Sequence, residues 1–139
     1  MAWQTPKTNW KATDYINASD YNRIAGNLIA LQTQALKIFG HIEYETMTGD
    51  KTYASLPHAS DWNAVENNLA TLNTHTYDYD IGATKTFYPN QAYINYAELN
   101  RIESASLRIK EQMDVHMALF PHLPIILGGA KPFGIRVSS

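Results

Sequence analysis

The stretch Tyr15-Ile16-Asn17-Ala18-Ser19-Asp20-Tyr21-Asn22-Arg23-Ile24 sets the architecture, because the chain writes it twice more. Leu56-Pro57-His58-Ala59-Ser60-Asp61-Trp62-Asn63-Ala64-Val65 stands 41 residues on, and Tyr93-Ile94-Asn95-Tyr96-Ala97-Glu98-Leu99-Asn100-Arg101-Ile102 follows 37 residues after that. Each copy carries a capping position, an acid three residues later, an aromatic residue or leucine, an asparagine, and then Ile or Val. An acid at the third helical position favours a helix start, since a carboxylate suits the positive end of the helix. A chain that repeats one helix start three times is built as three similar helical units.

The apolar spacing gives each unit its length. Tyr21, Ile24, Leu28, Leu31, Ala35 and Ile38 recur at steps of three and four and form one stripe, which predicts a helix over about 18–39 with Asn17 as its cap and Gly40 as its stop. Trp62, Val65, Leu69 and Leu72 predict a second helix over about 59–74, with the weaker capping residue His58. Leu99, Ile102, Ile109, Met113 and Phe120, with Ala105 or Ser106 as the small member, predict a third over about 96–120, capped by Asn95 with Glu98 as its capping-box partner and ended by Pro121. The expected class is therefore mainly α, three helices forming a repeat domain over 17–122.

The rest of the chain lacks helical periodicity. Residues 1–16 hold Pro6, two tryptophans and several threonines, and read as an extended N-terminal arm lying across the domain or docked on a neighbouring chain. The connections 41–56 and 78–92 are rich in Tyr, Thr, Asp and Gly, with room for a short strand or turn in each. Tyr77, Tyr79, Phe87 and Tyr88 read there as half-buried anchors. Residues 123–139 hold two prolines and three glycines and end in the alternating run Ile135 to Val137, which suits a C-terminal arm or edge strand.

Composition narrows the chemistry. The 139 residues are enough for one domain with a real core, and 45% hydrophobic with 17% charged residues describes a globular chain with a weakly charged surface. A net charge of −2 argues against a nucleic-acid partner, whose phosphates are bound by clustered Lys and Arg. The absence of cysteine removes disulfides and thiol chemistry. No secretion leader is expected, and no apolar run approaches the roughly 18 residues of a bilayer span, so no membrane insertion is expected.

No enzyme, cofactor or metal is expected either. His41, His58, His75, His116 and His122 show no His-Glu-x-x-His spacing, and there is no Gly-x-Ser-x-Gly elbow or phosphate-binding loop around Gly128-Gly129. The paired acids Glu43 with Glu45, and Asp78 with Asp80, fall in connections where charge is solvated. The informative residues are of another kind. Asn is a poor helix-interior residue, so Asn22, Asn63 and Asn100 at one repeated offset point to a shared structural job, each amide tying its helix to the loop before the next unit. Arg23 and Arg101 follow two of them, and Ala64 follows the third. These arginines read as paired helix-surface charges or as contacts to a carboxylate on a neighbouring subunit. Nine tyrosines and three tryptophans suit protein interfaces or stacking on sugar rings. Trp3, Trp10 and, in the C-terminal arm, Phe133 are the interface candidates outside the helical stripes.

Trp3-Gln4-Thr5-Pro6-Lys7-Thr8-Asn9-Trp10, followed by Asp20-Tyr21-Asn22-Arg23-Ile24 and Asn27-Leu28, resembles the opening of small structural proteins of tailed phages and prophages of Gram-positive bacteria. Trp62-Asn63-Ala64-Val65-Glu66-Asn67-Asn68-Leu69 is similar to the same kind of helix. Two positions depart: Ala25-Gly26 stands where Glu-Gly or Glu-Asn is more typical, and the third copy carries Ala105 in place of its second asparagine. The resemblance implies a virion component of the distal tail or baseplate, made in the host bacterial cytoplasm and acting by assembly with other phage tail proteins. A host receptor or cell-wall glycan binding module contacting surface polysaccharide, and a head-to-tail adaptor, are the alternatives. A small regulatory protein made in the infected host is a further, weaker one.

Overall fold

The computed structural model describes residues 2–47, 49–52, 57–90 and 94–119. It is mainly helical, with α1 (Ala18–Phe39), α2 (Ala59–His75) and α3 (Tyr96–Leu119) in the order expected from the three repeats. Among the described residues no strand forms, and Thr52 alone makes an isolated bridge. The expected C-terminal arm, Phe133 within it, and the Phe120–Pro121 end of the third helix lie outside the described residues.

The starts are built as the repeats predict. Asn17 is extended, its side chain accepts from the Asp20 N–H at 3.0 Å, and the Asp20 carboxylate accepts from the Asn17 N–H at 3.0 Å, a complete capping box. At α2 only half of this survives: Asp61 accepts from the His58 N–H at 2.7 Å, and the imidazole makes no capping bond. At α3, Asn95 accepts from the Glu98 N–H at 3.0 Å, while the Glu98 carboxylate turns to Arg101 rather than back to its cap. α1 stops at Gly40, whose φ of +86° is open to glycine at no steric cost and whose N–H closes on the Leu36 carbonyl at 3.1 Å.

The stripes face one another. All six stripe residues of α1, all four of α2, and Leu99, Ile102, Ala105, Ser106, Ile109 and Met113 of α3 are buried. Burying each large aliphatic side chain there is worth about 1.5–3 kcal/mol against leaving it exposed. Tyr21 meets Trp62 edge to face at 5.1 Å, at the start of both helices. Phe39 meets Tyr77 in the same manner at 5.4 Å, at their far ends. Arg23 pairs with Glu103, and eleven residues on Gln34 binds Asp114. These contacts in register mean that the three helices run in the same direction around a shared core.

Parallel helices require connections that return the full helix length. For α1 that is about 33 Å, and the 19 and 20 residues between successive helices are ample chain to cross back. The N-terminal segment runs along the bundle in the same way before α1. What the sequence reads as an arm and two loops is one element repeated three times: an extended lead-in followed by a helix. Tyr77, Tyr79 and Phe87 pack against the core as expected, whereas Tyr88 is 63% exposed and anchors nothing.

Candidate functional site

The repeated asparagine is the key to the arrangement. It lies at the fifth helical position, half-buried, with its amide turned towards a lead-in segment. Asn22 donates to the Lys51 carbonyl at 2.7 Å and accepts from the Lys51 N–H at 2.7 Å. Asn63 does the same with Phe87, at 2.9 Å and 2.6 Å. Asn100 does it with Trp10, at 3.0 Å and 2.7 Å. A carboxamide carries one donor and one acceptor edge, so it matches the N–H and C=O of a single extended residue as a neighbouring strand would. Each helix therefore clasps the lead-in to the next unit, and α3 clasps the lead-in to α1. The connection is cyclic, and the three units close into a ring.

A second asparagine sits five residues after the first in two of the units. Asn27 clasps Gln4 at 2.8 Å and 2.7 Å, and Asn68 clasps Glu45 at 3.1 Å and 2.9 Å. These hold each helix to its own lead-in, six residues before the first clasp. The third unit has Ala105 at this offset.

Between units run ion pairs with the same cyclic logic. Arg23 of α1 binds Glu103 of α3 through Nε at 2.9 Å and Nη2 at 2.8 Å. Arg101 of α3 binds Glu66 of α2. The third pair would join position 64 of α2 to position 25 of α1, and both are alanine. With both positions apolar, no buried charge is left uncompensated. Asp61, which would have supported an arginine at 64, instead meets Lys51 at 3.2 Å.

The two carboxylates, Glu66 and Glu103, differ in environment. Glu103 is 1% exposed and accepts from four donors: the two of Arg23, the Trp10 indole N–H at 2.6 Å and the Lys7 N–H at 3.0 Å. Glu66 is equally buried, but its Oε1 accepts no hydrogen bond. Burial pushes the Glu66 carboxyl above its ordinary range against the opposing pull of Arg101.

These contacts relocate several residues expected at an interface with other chains. Trp10 is 4% exposed, part of the core, and bonded to Glu103 within its own chain. Arg23 and Arg101 face carboxylates of this chain, not of a neighbouring subunit. Trp3 is half-buried, packed against the core with the Lys110 ammonium 5.7 Å from its ring centre. For Trp3, Trp10 and Arg23 the reason is that the first lead-in closes the ring, so residues that look peripheral in the sequence lie against α1 and α3, whereas Arg101 lies between α3 and α2. The asparagines do tie each helix to the segment before the next unit. Glu66 and Glu103 escape sequence reading, although both stand three residues after the repeated asparagine, and the matched alanines at 25 and 64 were the available signal.

Two of the clefts among the described residues lie beside α2 and α3. One of about 650 Å³ lies beside the start of α2, with His58, Trp62, Phe87, Tyr88 and Asn90 in its walls. The second, of about 360 Å³, lies between Ile81 and Gly82 of the third lead-in and Arg101, Ala105 and Arg108 of α3. Gly82 is held at φ +83°, and a Cβ there would stand 2.7 Å from Arg101 Cδ. The Arg108 guanidinium stacks 3.7 Å over the Tyr79 ring. Among the described residues no group of three or more His, Cys, Asp or Glu is placed to hold a metal ion. No described helix is long and apolar enough to cross a membrane. No protein-family model, curated protein or solved structure matches this chain.

Proposed function

We propose that this chain is a structural component of a tailed-phage virion, built into the distal tail or baseplate by contact with other tail proteins. The observation that carries the reading is the opening motif. Its Trp10, Asn22 and Arg23 join one unit to another and its Asn27 ties α1 to its own lead-in, so what the chain has in common with the phage proteins it resembles is a framework. A ring of clasped helices presents a fixed surface for partners, and Tyr15, Leu36, Tyr88, Val115 and Leu119 are large apolar side chains left exposed on it. Immuno-electron microscopy on purified particles, with antibody against this chain, tests the proposal. Label at the tail tip supports it, label at the neck favours a head-to-tail adaptor, and particles without label refute a virion role.

A glycan-binding reading has one observation in its favour. The larger cleft sets the exposed Tyr88 ring beside His58, Thr86 and Asn90, an apolar face with polar groups around it, which suits a pyranose ring. Quenching of tryptophan fluorescence by cell-wall polysaccharide, lost in Tyr88→Ala, would favour it over a purely structural role.

A further inference from the structure

The ring has three junctions at which a helix clasps a lead-in to another unit. The chain itself crosses two of them, because α1 runs on into the lead-in 40–58 and α2 into the lead-in 76–95. At the third, from α3 to the segment 2–10, the chain is not continuous, and contacts alone close it. Asn100 holds the Trp10 main chain, and Glu103 takes the Trp10 indole N–H, the Lys7 N–H and the Arg23 guanidinium. On its other side Asn27 of α1 holds Gln4. The junction after α2 is plainer: Phe87 stands where Trp10 does, with no ring N–H to offer, and Glu66 Oε1 accepts no hydrogen bond. Polar closure is thus denser where covalent closure is missing. Tryptophan and arginine gathered on one buried carboxylate are the anchor types of an interface between separate chains.

The joint between this segment and α1 is built to open. Residues 11–15 are all exposed, Tyr15 at 93%. Their turn closes on itself: the Asp14 carboxylate accepts from the Lys11 N–H at 2.9 Å, and the Asp14 N–H donates to the Lys11 carbonyl at 3.0 Å. Extended, residues 11–16 reach about 20 Å. We propose that the groove between α3 and α1 accepts the segment 2–10 of a second copy of this chain, so that two copies exchange these segments reciprocally. Trp10 of one copy then meets Asn100 and Glu103 of the other, and Gln4 meets Asn27 of the other. The groove contacts are reproduced, so the exchanged pair differs from two closed monomers only around the joint and in its dependence on concentration. A short tether gives the copy's own segment an effective concentration on the order of millimolar, and exchange sets in when copies are packed at that density. The lead-ins 40–58 and 76–95 are fixed to a helix of the ring at both ends and do not exchange. The inference stands on the connectivity of the ring and not on the virion reading.

The test uses the full chain in isotopically labelled and unlabelled form, mixed at a total concentration on the order of millimolar and incubated warm. Native mass spectrometry should then show dimers of mixed mass. Isotope-filtered NMR should show contacts from Trp10 of the labelled copy to Asn100 and Glu103 of the unlabelled one. Deleting Ala12 and Thr13 shortens the joint while leaving the segment and its groove intact. It should lower the concentration for half-dimerisation by about a hundredfold, the advantage that a tether gives the copy's own segment. Lengthening the joint with a Gly-Gly insertion after Thr13 should return the protein to the monomer. Absence of mixed dimers in the wild-type protein would overturn the proposal. So would mixed dimers whose Trp10 contacts stay within one copy, which would mean association through another surface. The wild-type mixture decides the matter even if the shortened variant does not fold.

Discussion

Replacing Glu103 by alanine removes the side chain with the most hydrogen bonds among the described residues. Its carboxylate is 1% exposed and accepts from Arg23 twice, from the Trp10 indole and from the Lys7 amide. Deleting one member of a buried ion pair costs about 3–5 kcal/mol, because the remaining charge loses its compensation. Arg23 is 15% exposed and keeps Asp20 at 2.9 Å, which pulls the figure towards the lower end. The orphaned indole N–H and Lys7 amide add about 1–3 kcal/mol each where water cannot reach them. A loss of at least about 5 kcal/mol is therefore expected, on the scale of the 5–15 kcal/mol typical of a domain. Urea unfolding followed by far-ultraviolet circular dichroism and by tryptophan fluorescence measures it. The double variant Glu103→Ala with Arg23→Ala should lose clearly less than the two singles together, since it recreates the alanine pair that already joins α1 to α2 at positions 25 and 64. A single-variant loss below about 1 kcal/mol, the scale of a surface pair, would refute the buried cluster.

Trp62→Ala should destabilise by about 3–5 kcal/mol, because a fully buried aromatic is truncated and the edge contact to Tyr21 is lost; an unchanged melting temperature would exclude its place in the core. Deleting residues 2–10 should lower the unfolding midpoint sharply, since Trp10 leaves the core and Asn27, Asn100 and Glu103 lose their partners; an unshifted urea midpoint would show the segment to be dispensable. Glu66 titrates with its folded-state carboxyl raised by burial, so its contribution favours the fold at low pH and falls away as pH rises through the folded value. The stability of Glu66→Gln relative to wild type should accordingly improve as pH rises above about 4, measured as midpoint against pH, and a flat difference would contradict the raised carboxyl.

The helices were legible because their information is local. Asn17 and Asp20 lie three apart, and the stripe from Tyr21 to Ile38 needs only the helical period. α2 ends one residue beyond its predicted limit, at His75, where the chain turns through Asp78 at φ +54°. The lead-ins were not legible as elements, because extended chain clasped by side chains has no periodicity of its own. Trp10 reads as peripheral because its partner Glu103 lies 93 residues away. Its burial becomes evident only when the repeat is closed head to tail. The shared job of Asn22, Asn63 and Asn100 was readable from their common offset, while the direction of closure, from α3 back to the first lead-in, required the fold.

The ring closure itself is tested most directly by amide hydrogen exchange at Lys51, Phe87 and Trp10. All three N–H groups are held by a repeated asparagine, at 2.7, 2.6 and 2.7 Å. The account predicts that all three are protected in the native protein and that Asn100→Ala releases Trp10 while leaving Lys51 and Phe87 protected. A Trp10 amide that exchanges at the unfolded rate in the wild-type protein would contradict it, leaving three helices in a row and not a closed ring.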